Sequence, residues 1–520
     1  MSQDILIGID AGTSVIKSVA FDLTGRQIAV ASTPNRYTSR SDGAAFQSLE
    51  TTWNDCAATL RLLGDKVPDL ARRTCAIAVT GQGDGTWLAG KDNAPVTDGW
   101  LWLDARSAPT VDRLSAQETD KARFEATGTG LNCCQMGSQL AHMLATNPDY
   151  LDQAEVALHA KDWLYLNLTG VRATDPSEAC FTFGNFRTGT YDDAVIAALG
   201  LSAHSHLLPD IIDGTRMTHP LSSDAASQTG LLAGTPVVLG FVDVVCTGLG
   251  AGIFTGAENV GCTILGSTGM HMKARRAENV VLNAESTGYV MLLPIPGMVA
   301  QLQTNMAATL NIDWLMKVAA DLLAEFGQTT EHSALIRHID NWLGQSKPAG
   351  LMYHPYISEA GERGPFINTA ARASFMGLGS SHRFPDMVRA IVEGLAMASR
   401  DCYSAMGELP SEIRLSGGAA KSAALRNIMS SALKTSIRCS QREEAGAAGA
   451  AMMAAVSVGV YTDMTACIDD WVRPLLSEAE RPDASLGARY DTLFEAYQTQ
   501  RSTSGPVWQH LAHLQEHNGA

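Results

Sequence analysis

The chain has 520 residues, 45% of them hydrophobic and 18% charged, and a formal net charge of −16 at pH 7. That length exceeds what one hydrophobic core usually holds and predicts two or three domains with a cleft between them. The acidic balance excludes nonspecific binding to nucleic acid or to an anionic membrane surface, so any phosphate must be met by local backbone N–H groups and a metal ion.

In chain order, "DILIGIDAGTSVIKSVAFDLTGRQIAVAS" reads as three short strands, 5–9, 18–21 and 27–31, separated by the turns "DAGTS" and "LTGRQ", a hairpin pattern. "SLETTWNDCAATLRLLG" has helical periodicity, and "CAIAVTGQGDG" is β-rich and ends in glycines. From about residue 135 to 235 the pattern is mixed, with "LAHMLATNPDYLDQAEVALHAKDWLYLNLTG" predicted to be largely helical. A β-rich pattern restarts near residue 236 with "TPVVLGFVD" and "NVGCTILGSTGMHMKA", whose strand–turn–strand repeats the N-terminal hairpin. This predicts two related α/β halves that meet near residue 245. Later come an amphipathic helix in "FPDMVRAIVEGLAMASRDCYSAM", the strand and turn "EIRLSGGAAKS", and the small-residue helix "EEAGAAGAAMMAAVSVG". Ten scattered cysteines include one adjacent pair, Cys133 and Cys134, but no C-x-x-C, so free thiols are expected. With no signal-peptide pattern and no apolar run of ~18 to 20 residues, a cytoplasmic protein is expected.

Several short segments have the residue types of a phosphate or polyol site. In "IDAGTSVIK", Asp10 enters a turn of Gly12, Thr13 and Ser14 followed by Lys17. Small residues let N–H groups approach a phosphate, and the carboxylate suits magnesium; an ordinary hairpin explains the glycine alone. "GGAAKS", with Gly417, Gly418 and Ser422, lacks the glycine spacing of a Walker loop but allows a flat ligand such as adenine to pass closely. Gln82 and Asp84 in "GQGDG", and Trp102, Asp104 and Arg106 in "WLWLDAR", suit a polyhydroxylated ligand; the competing reading is an Asp104–Arg106 salt bridge with Asp84 capping a turn. Asp243, the one acid in "VVLGFVDVVCTGLGAG", is either a helix cap or a proton acceptor facing a cleft.

Taken together, "IGIDAGTS", "TGQGDG", "LDAR", "KDWLYLNLTG", "TDPSEA", "GFVD", "LGSTG", "GERGPF", "LSGGAAKS" and above all "ASFMGLGSSHRFPDMVRAIVE" resemble the FGGY carbohydrate kinases of the actin-like ATPase superfamily across nearly the whole chain. The resemblance implies an α/β fold of two actin-like, ribonuclease-H-like domains around a central cleft: residues 1–245 binding the sugar or polyol and 246–520 binding ATP. It implies that magnesium-ATP phosphorylates a small-molecule hydroxyl there, and it allows a homodimer. It places Asp10, Gly12 and Thr13 in the first phosphate loop and Gly266, Ser267 and Thr268 in the second. Gly417 and Gly418 would flank the adenosine with Ala447 nearby, Gln82, Asp84 and Asp104 would contact the acceptor, Asp10 and Asp243 would lie on the metal side, and Asp243 would be the base.

Three departures bear on the acceptor: Val244 follows the base where relatives often place Asn or Gln, Asp84 replaces the histidine of xylulose-type kinases, and Gln139 occupies a position usually held by lysine. These changes point to a short polyol rather than a ketopentose, with other polyols or ketoses as alternatives. A non-catalytic actin-like sensor is the rival from another class, and it has no need of a base.

Overall fold

The computed structural model describes residues 3–256 and 259–518. The first half begins with β1 (Ile5–Ala11), β2 (Val15–Asp22) and β3 (Gln27–Pro34), an antiparallel meander, followed by β4 (Thr74–Gly81), β5 (His219–Pro220) and β6 (Pro236–Leu239). Their order in the sheet is β5-β6-β4-β1-β2-β3, with β4 and β6 parallel to β1. The second half repeats this plan with β7 (Val260–Leu265), β8 (Gly269–Arg276), β9 (Tyr289–Leu292), β10 (Met298–Asn305), β11 (Glu412–Ser416) and β12 (Ser436–Cys439). The order is β9-β10-β8-β7-β11-β12, again an antiparallel meander joined to two parallel strands. The duplication seen faintly in the sequence is therefore a repeated topology.

Strand alternation gives each sheet two buried faces. In β1, Ile5, Ile7 and Ile9 point outward to α1 (Leu49–Lys66) and α2 (Ala160–Thr169), where Trp53, Leu60 and Trp163 complete one core. Ser48 caps α1 by accepting the Thr51 N–H. On the other face, Leu6 joins Val19, Ala76 and Val238 in a core shared with Cys262, Met272 and Ala300 of the second sheet. The outer face of the second sheet packs Ile413, Leu415 and Ile437 against Val388, Ile391 and Leu395 of the long helix Phe384–Ala405.

Two helices fill the middle layer. α3 (Asp243–Ala251) follows β6, and α4 (Ala445–Ser457) follows β12, the equivalent position in the other half. α4 belongs to the second half of the sequence yet lies on β1 and β4 of the first sheet and against α3. Its small residues make this possible, because a Cβ on Gly8 would collide with the Ala447 carbonyl, one on Gly449 with the Cys246 carbonyl, and one on Gly250 with the Ala445 carbonyl. The Ala/Gly run is thus a tight helix contact, as its composition predicts.

One predicted helical stretch differs. In "QAEVALHAKDW" residues Val156–Leu158 form a strand paired with Trp87–Ala89, a partner that local periodicity does not reveal. Among the described residues no helix is long and apolar enough to cross a membrane.

The seam generates a stability prediction. Gly449→Ala forces backbone apart and is expected to destabilise the fold by about 1–3 kcal/mol. Gly487→Ala, in the helix Ala484–Thr503 where an added Cβ meets nothing within 4 Å, is expected to be neutral or stabilising by about 0.5–1 kcal/mol. Thermal unfolding of the two variants, measured side by side, checks the contrast; equal midpoints would contradict it.

Candidate active site

The β1–β2 turn holds Gly12, Thr13 and Ser14, and the β7–β8 turn holds Gly266, Ser267 and Thr268, the same place in each half. The first turn is braced by side chains. Thr13 Oγ1 donates to Gln82 Oε1 at 3.0 Å and accepts from Trp102 Nε1 at 2.8 Å. Gln47 Nε2 donates to the Thr13 carbonyl and Gln82 Nε2 donates to Gln47 Oε1, both at 2.8 Å, while Asn35 Nδ2 holds the Gly12 carbonyl at 2.9 Å. With the hydroxyl of Thr13 and the amide of buried Gln82 committed to each other, an anion at this turn would meet mainly main-chain N–H groups. The second turn is tied to the chain just beyond β10: Ala308 N–H donates to the Ser267 carbonyl at 2.7 Å and Thr309 N–H to that of Gly266 at 3.0 Å.

Asp10, last but one in β1, lies against the middle layer, where a Cβ on Gly446 would collide with its Oδ2 and come within 3.2 Å of Thr247 Oγ1. Thr247 is one turn beyond Asp243 on α3, so the two acids share the end of this layer. Burial raises the Asp10 carboxyl from its ordinary value to about 6, against the pull of Lys17. Burial, then the charge of Asp10, pushes Asp243 well above the carboxylate range. Asp243 is the first residue of α3, with Val242 at the N-cap, and its Oδ1 accepts the Val244 N–H at 2.7 Å. Asp243 is therefore a first-turn acid and not the cap: the N-cap position is Val242, which makes no side-chain cap bond, and among the described residues the Asp243 carboxylate reaches only the N–H of its own neighbour.

The approach to Asp243 is fixed from beneath. Val242 N–H donates to Ser177 Oγ at 3.1 Å, Ser177 Oγ donates to Asp175, and Asp175 Oδ2 lies 2.6 Å from Lys161 Nζ. Thr80 Oγ1 holds the Phe241 carbonyl at 2.6 Å. Lys161 also pairs with Asp162 at 2.5 Å, and His159 bridges Asp162 at 3.1 Å and Glu178 at 2.7 Å, all fully or almost fully buried. Despite burial, which works the other way, Glu178 and Asp162 push His159 up to about 9. "KDWLYLNLTG" and "TDPSEA" therefore supply a buried ion network under the site.

Asp84 sits beside this network at a positive φ of 57°. Its Oδ2 accepts from Cys134 Sγ at 3.4 Å and from the hydroxyl of Tyr289 at 3.3 Å, and Tyr289 comes from β9 in the other half. Burial, then the charge of Glu178, raises Asp84 to about 7. Asp104 is nearly fully buried and pairs with Arg106 at 2.6 Å, as the bland reading of "LDAR" has it, while also accepting the Ala45 N–H at 2.8 Å. Arg106 stacks on Trp100 at 3.4 Å, leaving Trp102 as the exposed aromatic of the segment. Gln139, fully buried, donates to the Leu101 carbonyl at 3.0 Å and so supports the same segment.

Other expected nucleotide residues are placed differently. Lys17 pairs with Glu444, at 2.8 Å, just ahead of α4. Gly417 has φ +94° and no room for a Cβ against the Leu265 carbonyl, so it is a close-approach turn, and Gly418 faces open space. Ser422 caps the helix Ala423–Leu433 through the Leu425 N–H at 3.1 Å and donates to Asp340. Ala447 is fully buried against β1, its backbone carbonyl standing where Gly8 lacks a side chain, and so it has no surface to offer adenosine.

Tyr289, Cys134, Gln47 and Glu178 were missed from sequence. Cys134 and Glu178 lie in segments that stood out, but "STGYVML" around Tyr289 carries no signal. Among the described residues no three His, Cys, Asp or Glu side chains cluster as a metal site. Asp10 and Asp243, two hard oxygen donors whose charges repel, have the chemistry that would suit a magnesium ion.

Comparison with known proteins places this geometry in context. The model of the FGGY family of carbohydrate kinases matches as its N-terminal domain over residues 5–250 and as its C-terminal domain over residues 262–458. The chain is 61% identical over 509 residues to an erythritol kinase of Brucella abortus, covering 98% of each protein. It is 25% identical to a xylulose kinase of Bacillus subtilis, covering 95% of each. The fold superimposes on the ligand-bound xylulose kinase of Lactobacillus acidophilus with a TM-score of 0.88 at 19% identity, covering 98% of this chain and 100% of that one.

The raised carboxyls carry a pH signature. Folded Asp10 and Asp84 keep protons that the unfolded chain releases near its ordinary 3.8, so the native state binds more protons between that value and about 6 and 7. Stability therefore falls as pH rises through this window. Asp84→Asn removes part of the fall: its thermal midpoint relative to the parent is expected to rise between pH 5 and pH 8. A difference independent of pH would exclude Asp84 as a source.

Proposed function

The chain belongs to the FGGY family of carbohydrate kinases, and from that premise we propose that it transfers the γ-phosphoryl group of ATP to a terminal hydroxyl of erythritol, giving erythritol 4-phosphate. The observation that carries the substrate is the near full-length 61% identity to an erythritol kinase. Asp84 in place of histidine, and Val244 after Asp243, agree with a short polyol. In this reading residues 1–245 supply most of the acceptor side and 246–520 most of the nucleotide side, in the cytoplasm.

Asp243 is the general base. Its position at the start of α3, beside Asp10 and above a rigid ion network, supports a proton acceptor aimed into the cleft. Burial and Asp10 favour its protonated form, and a cation held by Asp10 and Asp243 would restore the carboxylate. Magnesium, when bound, supplies positive charge against the transferred phosphoryl group. The main-chain N–H groups of the two turns orient phosphate, Trp102 covers the C–H face of the acceptor, and Asp84 accepts from its hydroxyls. Closure of the two halves over the bound acceptor would keep water from competing with it.

ADP release measured on a panel of C3 to C6 polyols and ketoses tests the substrate: erythritol is expected to give the highest kcat/KM, and turnover of a ketopentose with none on erythritol would overturn the assignment. Asp243→Asn is expected to retain ATP binding while kcat falls roughly 10²- to 10⁴-fold. Near-normal turnover would remove Asp243 as the base.

A further inference from the structure

Arg363 stands in "GERGPF", in the second half of the chain. Its backbone is pinned to the end of β10. Glu362 Oε1 accepts from the N–H groups of Met306 at 2.9 Å and Arg363 at 3.0 Å, and Asn305 Nδ2 donates to the Gly364 carbonyl at 3.0 Å. The neighbouring acid is thus turned back into its own half and does not pair with the guanidinium.

The guanidinium reaches the other half instead. Among the described residues its one hydrogen-bond contact is from Nη2 to Cys133 Sγ at 3.9 Å, and no carboxylate lies within salt-bridge distance. A guanidinium has five donors in a planar fork, and a thiol is a weak acceptor, so this charge is under-partnered where it stands. Around it is the wall of the proposed acceptor cleft. Cys133 adjoins Cys134, whose thiol donates to Asp84, and Tyr289 donates to the same oxygen while accepting from Asn132 Nδ2 at 3.3 Å. An acceptor group from the first half and a donor fork from the second thus converge on the same short segment, Asp84 through Cys134 and Arg363 through Cys133.

We propose that Arg363 is a substrate-binding residue that donates to the hydroxyls at the non-reacting end of the polyol, while Asp84 accepts from the same molecule. This rests on the reading of that cleft as the polyol site. Each polyol hydroxyl can both donate and accept, and a vicinal pair matches the spacing of a planar fork. The acceptor then bridges the two halves, and chain length is selected: a shorter polyol that satisfies Asp84 leaves the guanidinium unpaired, a rejection stronger than a loss of apolar contact.

The test pairs substrate and residue changes on the full-length enzyme at saturating ATP. Erythritol is compared with the four-carbon triol lacking the terminal hydroxyl that is not phosphorylated, in the parent, Arg363→Ala, Arg363→Lys and Asp84→Asn. Arg363→Ala is expected to raise the KM for erythritol about 10- to 100-fold, the loss of a charged hydrogen bond, and to leave the KM for ATP within about twofold. The penalty for the missing hydroxyl, present in the parent, is expected to shrink toward none in Arg363→Ala and to be intermediate in Arg363→Lys. A penalty unchanged by removal of the guanidinium overturns the proposal; should Arg363→Ala fail to fold, Arg363→Lys decides by the same criterion. If Asp84→Asn raises the erythritol KM and the Arg363 variants do not, Arg363 alone is misassigned. If neither position affects it, the cleft itself is not the polyol site and both assignments fall.

Discussion

Everything in this molecule depends on how closely three backbones approach one another in its middle layer. β1, α3 and α4 meet at Gly8, Gly250 and Gly449, where each missing side chain is replaced by a carbonyl of a neighbouring segment. Hydrogen atoms in place of methyl groups let two helices serve two sheets at once. Asp10 stands near the end of the strand and Asp243 starts the helix at one rim of that contact, so the separation of the two acids is set by steric packing some distance below them. A rigid base of this kind favours precise placement of charge, because dense cores transmit displacement rather than absorb it.

The second determinant is electrostatic. Asp10, Asp84, Glu178 and Asp243 are gathered where solvent is scarce, and burial shifts each upward: against the pull of Lys17 on Asp10 and of His159 on Glu178, and reinforced by neighbouring acids at Asp84 and Asp243. Such a site is poised for cations: the negative charges favour a metal and a guanidinium, and both relieve repulsion when they arrive. Beneath them Lys161 and His159 pair with Asp162, Asp175 and Glu178, so two buried cations offset part of that negative charge. Lys17, tied to Glu444, shows that one cation at the rim already bridges the halves.

Much of the architecture was legible in the sequence wherever its cause is local. The N-terminal meander, its repetition after residue 236 and the Ala/Gly helix follow from alternation, turn residues and side-chain size. The Asp104–Arg106 pair likewise follows from two residues of separation. The features that escaped notice depend on distant partners. Val156–Leu158 is a strand only because Trp87–Ala89 lies beside it, and Tyr289 reaches Asp84 across 205 positions in the chain. Ser422 and Ala447 illustrate the opposite case: a motif drew attention to them, while capping and close packing account for what their side chains do in the fold.

The exchange of α4 has one more consequence. The sheet built from the first half is covered on its inner face by a helix encoded nearly two hundred residues after that half is complete. By residue 250 every strand of the first sheet has been encoded, while the helix that covers its inner apolar face has not. The two halves are copies in pattern, yet the first is not a self-sufficient module: a helix that the second half encodes closes its core.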